Sequence, residues 1–429
     1  MPPEAARERA VRRREFERKD IAIFEPDLTE TTTLARAKEF VAAGFQPIIL
    51  GFRRGRYNRT NIAPWREIEL GNTRDGQYWK RVKALICALP VIVGGRRDLR
   101  ARAIFLARNL DQLLLALFAR FFFNPKAVIA YEVVDIQPAF TRHGLRGAII
   151  RATERACLKE VDLLAVSSPA FCRDYFQKKQ RYRGPWVVVE NKLRLSSAEA
   201  ARALQVRKVA VKPVNRGAPW RIGYFGLIRG QATIELMMRL AIALPEKIEI
   251  EFRGIATTVD HGWFHAMLAQ HRNVRFGGEY RNPDDLPDLY SGVDFAWAID
   301  LENTDGNSRW LLPCRFYEAG LVGVPCLAAR EFEIGQLLDR LDLGWTFADP
   351  VEASLIAFFD SLSPEAYAQK RRTLLACPAD TFMTGDADDV LPKQLTELAA
   401  ARRAKFANPK RDVPASLNEN VLPGSIRTD

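Results

Sequence analysis

The polar stretch at residues 307–325 holds the side chains best suited to chemistry in this chain. It reads NSRWLLPCRFYEAGLVGVP, which predicts a loop and then a helix that ends in glycines before a buried strand. Arg315 lies in the first turn of that helix, where it and the free backbone amides can face a phosphate. Glu318 can accept two hydrogen bonds from sugar hydroxyls. The stretch therefore indicates a nucleotide site, whereas a purely structural unit would need only the glycines and the apolar residues.

A second polar turn follows the predicted strand at residues 221–225 and runs from Gly226 to Gly230. Glycine at both ends lets backbone amides approach a phosphate, and Arg229 adds a positive charge beside them. Many turns between a strand and a helix carry glycine for geometry alone. This signal therefore gains its weight from the neighbouring motifs.

Alternating apolar strands and helical patterns must position these groups. In the first half, strands are predicted at residues 21–24, 47–50, 91–93, 127–130, 163–167 and 187–189. In the second half, they are predicted at residues 221–225, 248–252, 274–276, 295–299, 324–328 and 345–347. Continuous apolar strands between helices indicate parallel sheets that are covered on both faces. The sequence thus predicts an α/β protein with two Rossmann-like doubly wound domains, which bind ligands in the cleft that they face.

The chain is long enough for two hydrophobic cores, because 48% of its 429 residues are hydrophobic. A charged stretch with few large apolar residues follows Ser196 and separates the two series of strands. The predicted division is a charged N-terminal tail at residues 1–20, a first domain at 21–213, a second domain at 214–384, a closing helix at 385–404 and a disordered tail at 405–429.

The second half also carries several motifs in a fixed order. They are IGYFG at residues 222–226 with Arg229-Gly230, FRG at 252–254, NVRFG at 273–277, DDLPDLY at 284–290 with Asp294, and LPCRFYE at 312–318 with GVP at 323–325. In order and spacing they resemble the nucleotide-sugar-binding half of GT-B glycosyltransferases, especially family 4-like enzymes. The resemblance covers about residues 220–350 and implies that the second domain binds the donor.

The resemblance also implies roles for single residues. Gly226, Arg229 and Gly230 are similar to the turn that holds the donor diphosphate, and Glu318 is similar to the glutamate that binds the ribose. Arg315 stands where many relatives have lysine. The chain departs from the family pattern at Leu311, where relatives often carry another glutamate. Candidates to replace that glutamate lie in the preceding loop and are Glu302, Asp305, Asn307 and Ser308.

Glycosyl transfer needs a base for the attacking hydroxyl unless attack and departure occur on one face. Asp135 follows a predicted buried strand, which places it at the edge of the cleft, and it resembles the aspartate found at this point in related enzymes. We predict Asp135 as the base and Glu132 as the alternative, although a solvated loop carboxylate would look the same in sequence. His143, the one histidine in the first half, is a further candidate for catalysis or phosphate binding.

Charge is distributed unevenly along the chain. Residues 1–215 hold 41 Lys and Arg against 22 Asp and Glu, a net charge of +19, whereas residues 216–429 carry −7. Basic residues alternate with aromatic rings at residues 52–59, 65–66 and 78–83, and residues 101–123 are predicted as an apolar helix that carries arginines. Such surfaces bind anionic lipid head groups by charge while the rings insert into the interface. A buried amphipathic helix with solvated arginines is the structural alternative.

We predict that the first half lies on an anionic membrane surface and does not cross it. No apolar stretch reaches the roughly 20 residues of a spanning helix, and no apolar core of a signal peptide opens the chain. Nucleic acid is not an expected partner, because no nucleic-acid-binding motif accompanies the basic patch. No metal is expected either, since the histidines lack clustered partners and the six cysteines contain no Cys-x-x-Cys pair.

These features predict a glycosyltransferase that moves a sugar from a nucleotide diphosphate sugar to a lipid-linked saccharide in bacterial surface or exopolysaccharide assembly. The first domain would bind the acceptor at the cytoplasmic face of the inner membrane, and the nucleotide diphosphate sugar would be a co-substrate without any further cofactor. One alternative is a nucleotide-sugar 2-epimerase of the same fold, which needs no acceptor. The other is a non-catalytic protein that binds nucleotide sugars.

Overall fold

The computed structural model describes residues 19–54, 63–73, 78–210, 217–256, 258–384 and 390–407. Several sequence predictions lie outside these ranges. They are the domain boundary near residue 213, nearly all of the N-terminal tail at 1–20, most of the C-terminal tail at 405–429 and the basic aromatic residues 55–59.

The first domain is built on a seven-stranded parallel sheet of order β3-β2-β1-β4-β5-β6-β7. The strands are β1 (Lys19–Glu25), β2 (Phe45–Arg53), β3 (Arg66–Asn72), β4 (Ile104–Arg108), β5 (Val128–Val133), β6 (Leu163–Val166) and β7 (Trp186–Val188). The helices are α1 (Thr31–Ala42), α2 (Tyr78–Gly94), α3 (Arg96–Arg100), α4 (Asn109–Phe123), α5 (Pro138–Thr141) and α6 (Leu145–Leu158), and a π-helix spans Phe171–Gln177. The order of strands reverses between β1 and β4, which opens a crevice at their carboxyl ends.

Helices cover both faces of this sheet. The buried cluster on one face joins α2, α3, α4 and α6 to the sheet through residues such as Ala88, Ile92, Leu99, Leu113 and Leu158. The cluster on the other face contains Ala37 and Phe40 of α1 together with inward side chains of β1, β2 and β4. Each central strand is therefore buried on both sides, as its continuous apolar sequence requires.

The chain leaves the first domain through β8 (Leu193–Arg194) and α7 (Ser197–Ala210). The second domain has a six-stranded parallel sheet of order β11-β10-β9-β12-β13-β14. Its strands are β9 (Trp220–Ile228), β10 (Ile248–Ala256), β11 (Val274–Phe276), β12 (Phe295–Trp297), β13 (Cys326–Ala329) and β14 (Gly344–Phe347). Its helices are α8 (Gln231–Ala243), α9 (His261–Leu268), α10 (Leu286–Ser291), α11 (Asn307–Trp310), α12 (Cys314–Val322), α13 (Glu333–Leu341), α14 (Val351–Ser361) and α15 (Pro364–Ala376).

The chain then returns to the first domain. A short strand, β15 (Met383–Thr384), pairs in parallel with β8, so the two segments that cross between the domains are hydrogen-bonded to each other. The last described helix is α16 (Val390–Ala407), which buries Leu391, Leu395 and Ala399 against the first sheet. No helix within the described ranges is both long and apolar enough to span a membrane.

The α/β prediction is confirmed, but two of the predicted elements are wrong. Residues 91–93, predicted as a strand, belong to α2. Residues 101–123, predicted as one apolar helix, contain the central strand β4 before α4 begins at Asn109. Short apolar runs fit a buried strand and a buried helix equally well, so periodicity does not separate them.

A buried network of charged side chains lies at the carboxyl ends of β1, β4 and β5. Arg108 Nη2 is 3.1 Å from Glu132 Oε2, and Arg108 Nη1 is 3.4 Å from Glu25 Oε2. Arg36 pairs with the other oxygen of Glu132. Burial raises the pKa of Glu25 to about 7, although the charge of Arg108 opposes the shift. The network therefore holds one carboxyl group that titrates near neutral pH.

Arg207 of α7 connects the linker to two helices of the second domain. Its guanidinium donates to the carbonyl oxygens of Gly320 (2.7 Å) and Leu321 (3.0 Å) near the end of α12. It also donates to the carbonyl oxygens at the end of α15, which belong to Leu374 (3.0 Å), Leu375 (3.1 Å) and Cys377 (2.6 Å). A cation at the carboxyl ends of two helices satisfies orphan carbonyls and complements both dipoles.

Replacing Arg207 by Met should strongly destabilise the second domain. The change leaves five buried or part-buried carbonyl oxygens without this donor, and we expect the free energy of unfolding to fall by about 3 kcal/mol or more. Urea unfolding measures the loss. The exposed neighbour Lys208 on the same helix provides the control, because Lys208→Met should change the free energy of unfolding by less than about 0.5 kcal/mol. Equal stability of the two variants would contradict the structural role of Arg207.

Replacing Glu25 by Gln should change how stability depends on pH. Because the pKa of Glu25 is raised from 4.5 to about 7, the folded state keeps a proton that the unfolded state releases. The contribution of this group to stability therefore falls as the pH rises from about 4.5 to 7. We therefore compare the free energy of unfolding of Glu25→Gln with that of the parent. The variant minus the parent should be higher at pH 8 than at pH 5 by up to about 3 kcal/mol. Unfolding curves of both proteins at the two pH values test this, with the half-exposed Glu249→Gln as control.

Candidate active site

The two glycines of the predicted phosphate turn have structural roles. Gly226 lies within β9 with φ of 106°, and a Cβ at Gly254 of β10 would lie 1.9 Å from the carbonyl oxygen of Gly226. Gly230 precedes α8 with φ of 78°, and its N–H donates to Thr258 Oγ1 at 3.1 Å. The amide of Gly230 is thus already bonded within the protein. The charge of Arg229, rather than this amide, is therefore what the turn leaves available.

Arg229, at the end of β9, is held by acidic neighbours. Its Nε lies 2.9 Å from Asp300 Oδ2 and 3.6 Å from Glu302 Oε2. Although burial opposes the charged form, the carboxylates of Asp135 and Asp300 raise the pKa of Arg229 above its usual value. Both contacts use Nε, and the two Nη groups have no hydrogen-bond acceptor among the described residues. Arg229 is a fixed cation whose outer edge is free to meet an anion.

The side chain of Tyr224 joins this arginine to Arg315. The Tyr224 hydroxyl group lies 3.3 Å from both the backbone nitrogen and the carbonyl oxygen of Arg229. The guanidinium of Arg315 is 4.3 Å from the centre of the Tyr224 ring and donates to the carbonyl oxygen of Trp297 at 3.2 Å. Stacking on an aromatic ring fixes the plane of the guanidinium group. The structure thus brings together the two arginines that the sequence predicts as donor-binding.

Glu318 is buried one helical turn further along α12. Its Oε2 accepts a hydrogen bond from the Tyr290 hydroxyl at 2.7 Å, and Asn282 Nδ2 lies 3.4 Å from Oε1. Burial raises the pKa of Glu318, while Tyr290 and Arg315 act against the shift. Oε1 is the less firmly bonded oxygen, so it is the atom of Glu318 better able to accept a hydrogen bond from a ligand hydroxyl.

Cys314 begins α12 and lies among these charged groups. Its side chain reaches solvent, yet the surrounding protein raises the pKa of its thiol, and charges on Glu318, Asp135, Arg315 and Arg229 all act on it. A residue that is surrounded by charged groups of both domains and still reaches solvent lines a cleft. No side chain caps the start of α12, so the backbone N–H groups of Cys314 and Arg315 are available to an anion there, whereas that of Phe316 donates to the carbonyl oxygen of Pro313.

The predicted base, Asp135, lies on the first-domain side of the same cleft. It is exposed, and its Oδ1 accepts a hydrogen bond from Asn307 Nδ2 at 3.0 Å. The other end of the Asn307 amide accepts from the backbone N–H of Ile136 at 2.8 Å. Ser308 Oγ donates to Asp300 Oδ1 at 2.9 Å. Asn307 and Ser308, predicted as donor contacts, therefore bond to protein groups on opposite sides of their loop.

The other two predicted catalytic residues, Glu132 and His143, are less well placed for catalysis than Asp135. Glu132 is buried between two arginines, and although burial opposes the charge, Arg108 and Arg36 lower the pKa of Glu132 to about 2. A carboxylate so firmly paired is a weak base, and the geometry favours Asp135. His143 is exposed in the turn between α5 and α6, with no recorded hydrogen bond among the described residues. Within those residues no three His, Cys, Asp or Glu side chains come together as a metal site.

Sequence reasoning missed three residues of this cleft: Asp300, Tyr224 and Cys314. Asp300 directly follows the predicted strand at 295–299, and the rule that placed Asp135 at the cleft would have found it. Tyr224 lies inside a strand, where a tyrosine is typical of a core. Cys314 begins the predicted helix, but a lone cysteine carries no signal of its own.

Comparisons with known proteins bear on the fold and the family of the chain. No model of a known protein family matches the chain. The succinoglycan biosynthesis protein ExoL of Rhizobium meliloti is 31% identical over 373 residues, which cover 87% of this chain and 92% of ExoL. Anabaena HepE in complex with UDP-glucose has a TM-score of 0.60 at 13% identity and covers 89% of this chain and 99% of HepE.

Two further solved structures are similar. Sucrose-phosphate synthase from Thermosynechococcus elongatus has a TM-score of 0.63 at 14% identity, over 91% of this chain and all of that one. WaaG, a glycosyltransferase involved in lipopolysaccharide biosynthesis, has a TM-score of 0.55 at 13% identity, over 85% of this chain and all of WaaG. At such identities these likenesses show the fold, and the predicted pair of Rossmann-like domains is confirmed. The predicted link to exopolysaccharide glycosyltransferases is confirmed by ExoL, which aligns over nearly the whole chain. This chain belongs to the family of the succinoglycan biosynthesis protein ExoL and has the fold of GT-B glycosyltransferases.

Proposed function

We propose that this protein moves a sugar from a nucleotide diphosphate sugar to a lipid-linked saccharide during bacterial surface or exopolysaccharide assembly, at the cytoplasmic face of the inner membrane. The observation that carries the proposal is the convergence of Arg229, Arg315 and Glu318 at the carboxyl edge of the second sheet, opposite Asp135. Two cations, a helix start and a carboxylate match a diphosphate joined to a ribose.

In this proposal each group has one role. The diphosphate meets the Nη groups of Arg229, the guanidinium of Arg315 and the uncapped amides of α12. Glu318 Oε1 accepts a hydrogen bond from a ribose hydroxyl. HepE is described with bound UDP-glucose, which makes uridine diphosphate sugars the first donors to test. The two arginines, rather than a metal ion, are taken as the cationic groups.

The proposed reaction exchanges one bond to the sugar for another. The acceptor hydroxyl loses its proton to Asp135, its oxygen forms a bond to the anomeric carbon, and the bond from that carbon to the diphosphate oxygen breaks. The negative charge that develops on the leaving diphosphate is stabilised by the arginines and the start of α12. Groups that are held in place before the reaction do not have to reorganise as the charge forms.

Donor binding and turnover should be lost separately in two variants. Arg315→Ala removes a charge-assisted contact to phosphate, so we expect the dissociation constant of UDP to rise about 10-fold to 100-fold. Asp135→Asn should bind UDP as the parent does, while its turnover falls about 100-fold or more. Calorimetry with UDP and release of UDP from UDP-glucose, with a membrane lipid extract as acceptor source, measure the two effects.

The exposed Arg330 of the same domain provides the control, since Arg330→Ala should match the parent in both assays. Tight UDP binding by Arg315→Ala would contradict the donor site. Full turnover by Asp135→Asn would contradict the base. Isomerisation of the sugar without transfer would favour the epimerase alternative, and binding of UDP without any turnover would favour the non-catalytic one.

A membrane face for the acceptor side is supported by exposed apolar residues on neighbouring helices. Leu145 and Ile149 of α6 are 77% and 56% exposed, and they lie one turn apart on one side of that helix. Ile86 of α2 is 62% exposed and Leu114 of α4 is 37% exposed, and α4 contacts both α2 and α6. These helices form one layer on the first sheet and begin at its carboxyl edge, where Asp135 lies.

Exposed basic residues lie close in sequence to these apolar side chains. Arg142 and Arg146 flank Leu145, and Lys83 is exposed on α2 beside Ile86. Exposed apolar side chains with cations nearby suit binding to a surface of anionic lipids. Each Lys or Arg near such a surface contributes about 1 kcal/mol to the free energy of binding. Such a face would hold the protein next to a lipid-linked acceptor, with the cleft turned toward it.

The double variant Leu145→Glu and Ile149→Glu should detach the protein from membranes. It replaces two inserting side chains by charges that anionic lipids repel, so we expect sedimentation with phosphatidylglycerol vesicles to weaken at least tenfold. UDP binding should stay unchanged. Ile242→Glu, at a 63% exposed apolar position of the second domain, provides the control. The membrane face would be contradicted if the parent protein did not bind these vesicles. It would also be contradicted if the double variant bound them as the parent does.

A further inference from the structure

A short segment of the second domain is packed into the first. Trp310, the last residue of α11, is buried and belongs with Leu311 to the hydrophobic cluster of the first sheet. Its ring centre is 6.3 Å from that of Tyr175 and 5.1 Å from Lys179 Nζ. Ser168 Oγ donates to the carbonyl oxygen of Trp310 at 2.5 Å. The position of α11 is therefore set by the first domain, although its chain continues from β12 of the second.

Asn307, at the start of α11, forms hydrogen bonds to one loop of the first domain through both ends of its side-chain amide. Its Oδ1 accepts from the backbone N–H of Ile136 at 2.8 Å, and its Nδ2 donates to Asp135 Oδ1 at 3.0 Å. The N–H of Ile136 fixes which end of the amide is the acceptor, so the NH₂ group must face the carboxylate. Asn307 itself is 8% exposed, which keeps water from competing for these bonds.

The same segment is tied to the donor side. Ser308 Oγ donates to Asp300 Oδ1 at 2.9 Å, and Asp300 Oδ2 pairs with Arg229 Nε at 2.9 Å. The N–H of Asn303 donates to Ser308 Oγ at 3.0 Å, which fixes the loop before α11. Two adjacent residues, Ser308 and Asn307, thus bond to the acidic partner of the proposed diphosphate arginine and to the loop that carries the proposed base, respectively.

We infer that Asn307 is a positioning residue that orients the carboxylate of Asp135 toward the acceptor hydroxyl. The inference rests on the proposed function, because it assigns a partner to the proposed base. Asn307 bonds to one oxygen of Asp135 and leaves the other, which has no recorded partner among the described residues, to take the proton. Since Asn307 belongs to the second domain, the base is correctly oriented only while the domains are in contact through α11.

An amide is well suited to this role. It satisfies the backbone N–H of Ile136 and donates to the carboxylate without carrying a charge. Asp at this position would keep the acceptor for Ile136 but would place a second carboxyl group against Asp135. Two such groups share one proton, so the last proton leaves at a higher pH than it would from Asp135 alone.

Two variants of Asn307 test the inference through the release of UDP from UDP-glucose. Asn307→Ala should lower kcat about 10-fold to 100-fold, because the orientation of Asp135 is lost, while the dissociation constant of UDP stays within twofold of the parent. Asn307→Asp should move the acidic limb of the kcat/KM profile up by about one pH unit. Its thermal unfolding should match that of the parent at acidic pH, where the pair keeps its proton and the bond to Ile136 is kept, and should fall below it as the pH rises.

Arg309→Gln provides the matched control. Arg309 lies two residues further along α11 with a half-exposed side chain that pairs with Glu331, so this variant should keep the kcat and the pH profile of the parent. Hydrogen exchange gives a readout that does not need turnover: peptides that contain Ile136 should exchange faster in Asn307→Ala and at the parent rate in Arg309→Gln.

The outcomes separate this inference from the proposed function. A parent that releases UDP, together with Asn307 variants that keep its kcat and pH profile, would overturn the role of Asn307 and leave the transferase proposal standing. A parent that neither binds UDP nor releases it from UDP-glucose would overturn the proposed function and this inference with it. A raised UDP dissociation constant in Asn307→Ala would make Asn307 a donor contact, not a positioning residue.

Discussion

The reversal of strand order in both sheets is the constraint on which the site depends. In each sheet the strands before and after the reversal, β1 and β4 or β9 and β12, send their connections in opposite directions, and the carboxyl ends between them stay uncovered. Arg229 follows β9, Asp300 follows β12 and Asp135 follows β5. Because these residues sit at strand ends, rigid sheets fix their backbones, and only the short loops decide how the side chains meet. The chemistry is therefore placed by topology first and by local hydrogen bonds second.

Buried arginines are paired with carboxylates in two different ways in this protein. In the first domain, Arg108 and Arg36 neutralise Glu132 so completely that the group serves the fold. In the cleft, Arg229 is bonded to Asp300 through one edge only, and Arg315 lies over a tyrosine ring, so their positive charge is not neutralised by a carboxylate on every side. Removing either partner of a buried pair leaves an uncompensated charge, which explains why such groups come in matched sets. Exposure of one edge of the guanidinium group distinguishes Arg229, proposed to bind the diphosphate, from the structural Arg108 and Arg36.

Local patterns in the sequence encode the sheets and the spacing of residues on one helix, but not the contacts between distant segments. The two sheets and most of their strands follow from apolar runs bounded by polar turns, and the clustering of Arg315 with Glu318 follows from their spacing on one helix. Pairings between distant parts of the chain do not follow, because nothing local encodes them. Sequence favours Asp135 over Glu132 only through its place after the strand and a family resemblance, whereas the fold supplies the arginines that bind Glu132. Likewise Asn307 suggests a ligand contact until its two partners, Asp135 and Ile136, are seen to come from the other domain.

The parallel pairing of β8 with β15 limits how the two halves of the molecule can move. The polypeptide passes between the domains once on the way out and once on the way back, and the two passages are bonded to each other along Leu193–Arg194 and Met383–Thr384. A single flexible tether would permit twisting and sliding in any direction. Two joined tethers resist both, so opening must occur as a rotation about an axis close to this small ladder. Substrate entry then widens the crevice most at the rim farthest from the ladder and least beside it.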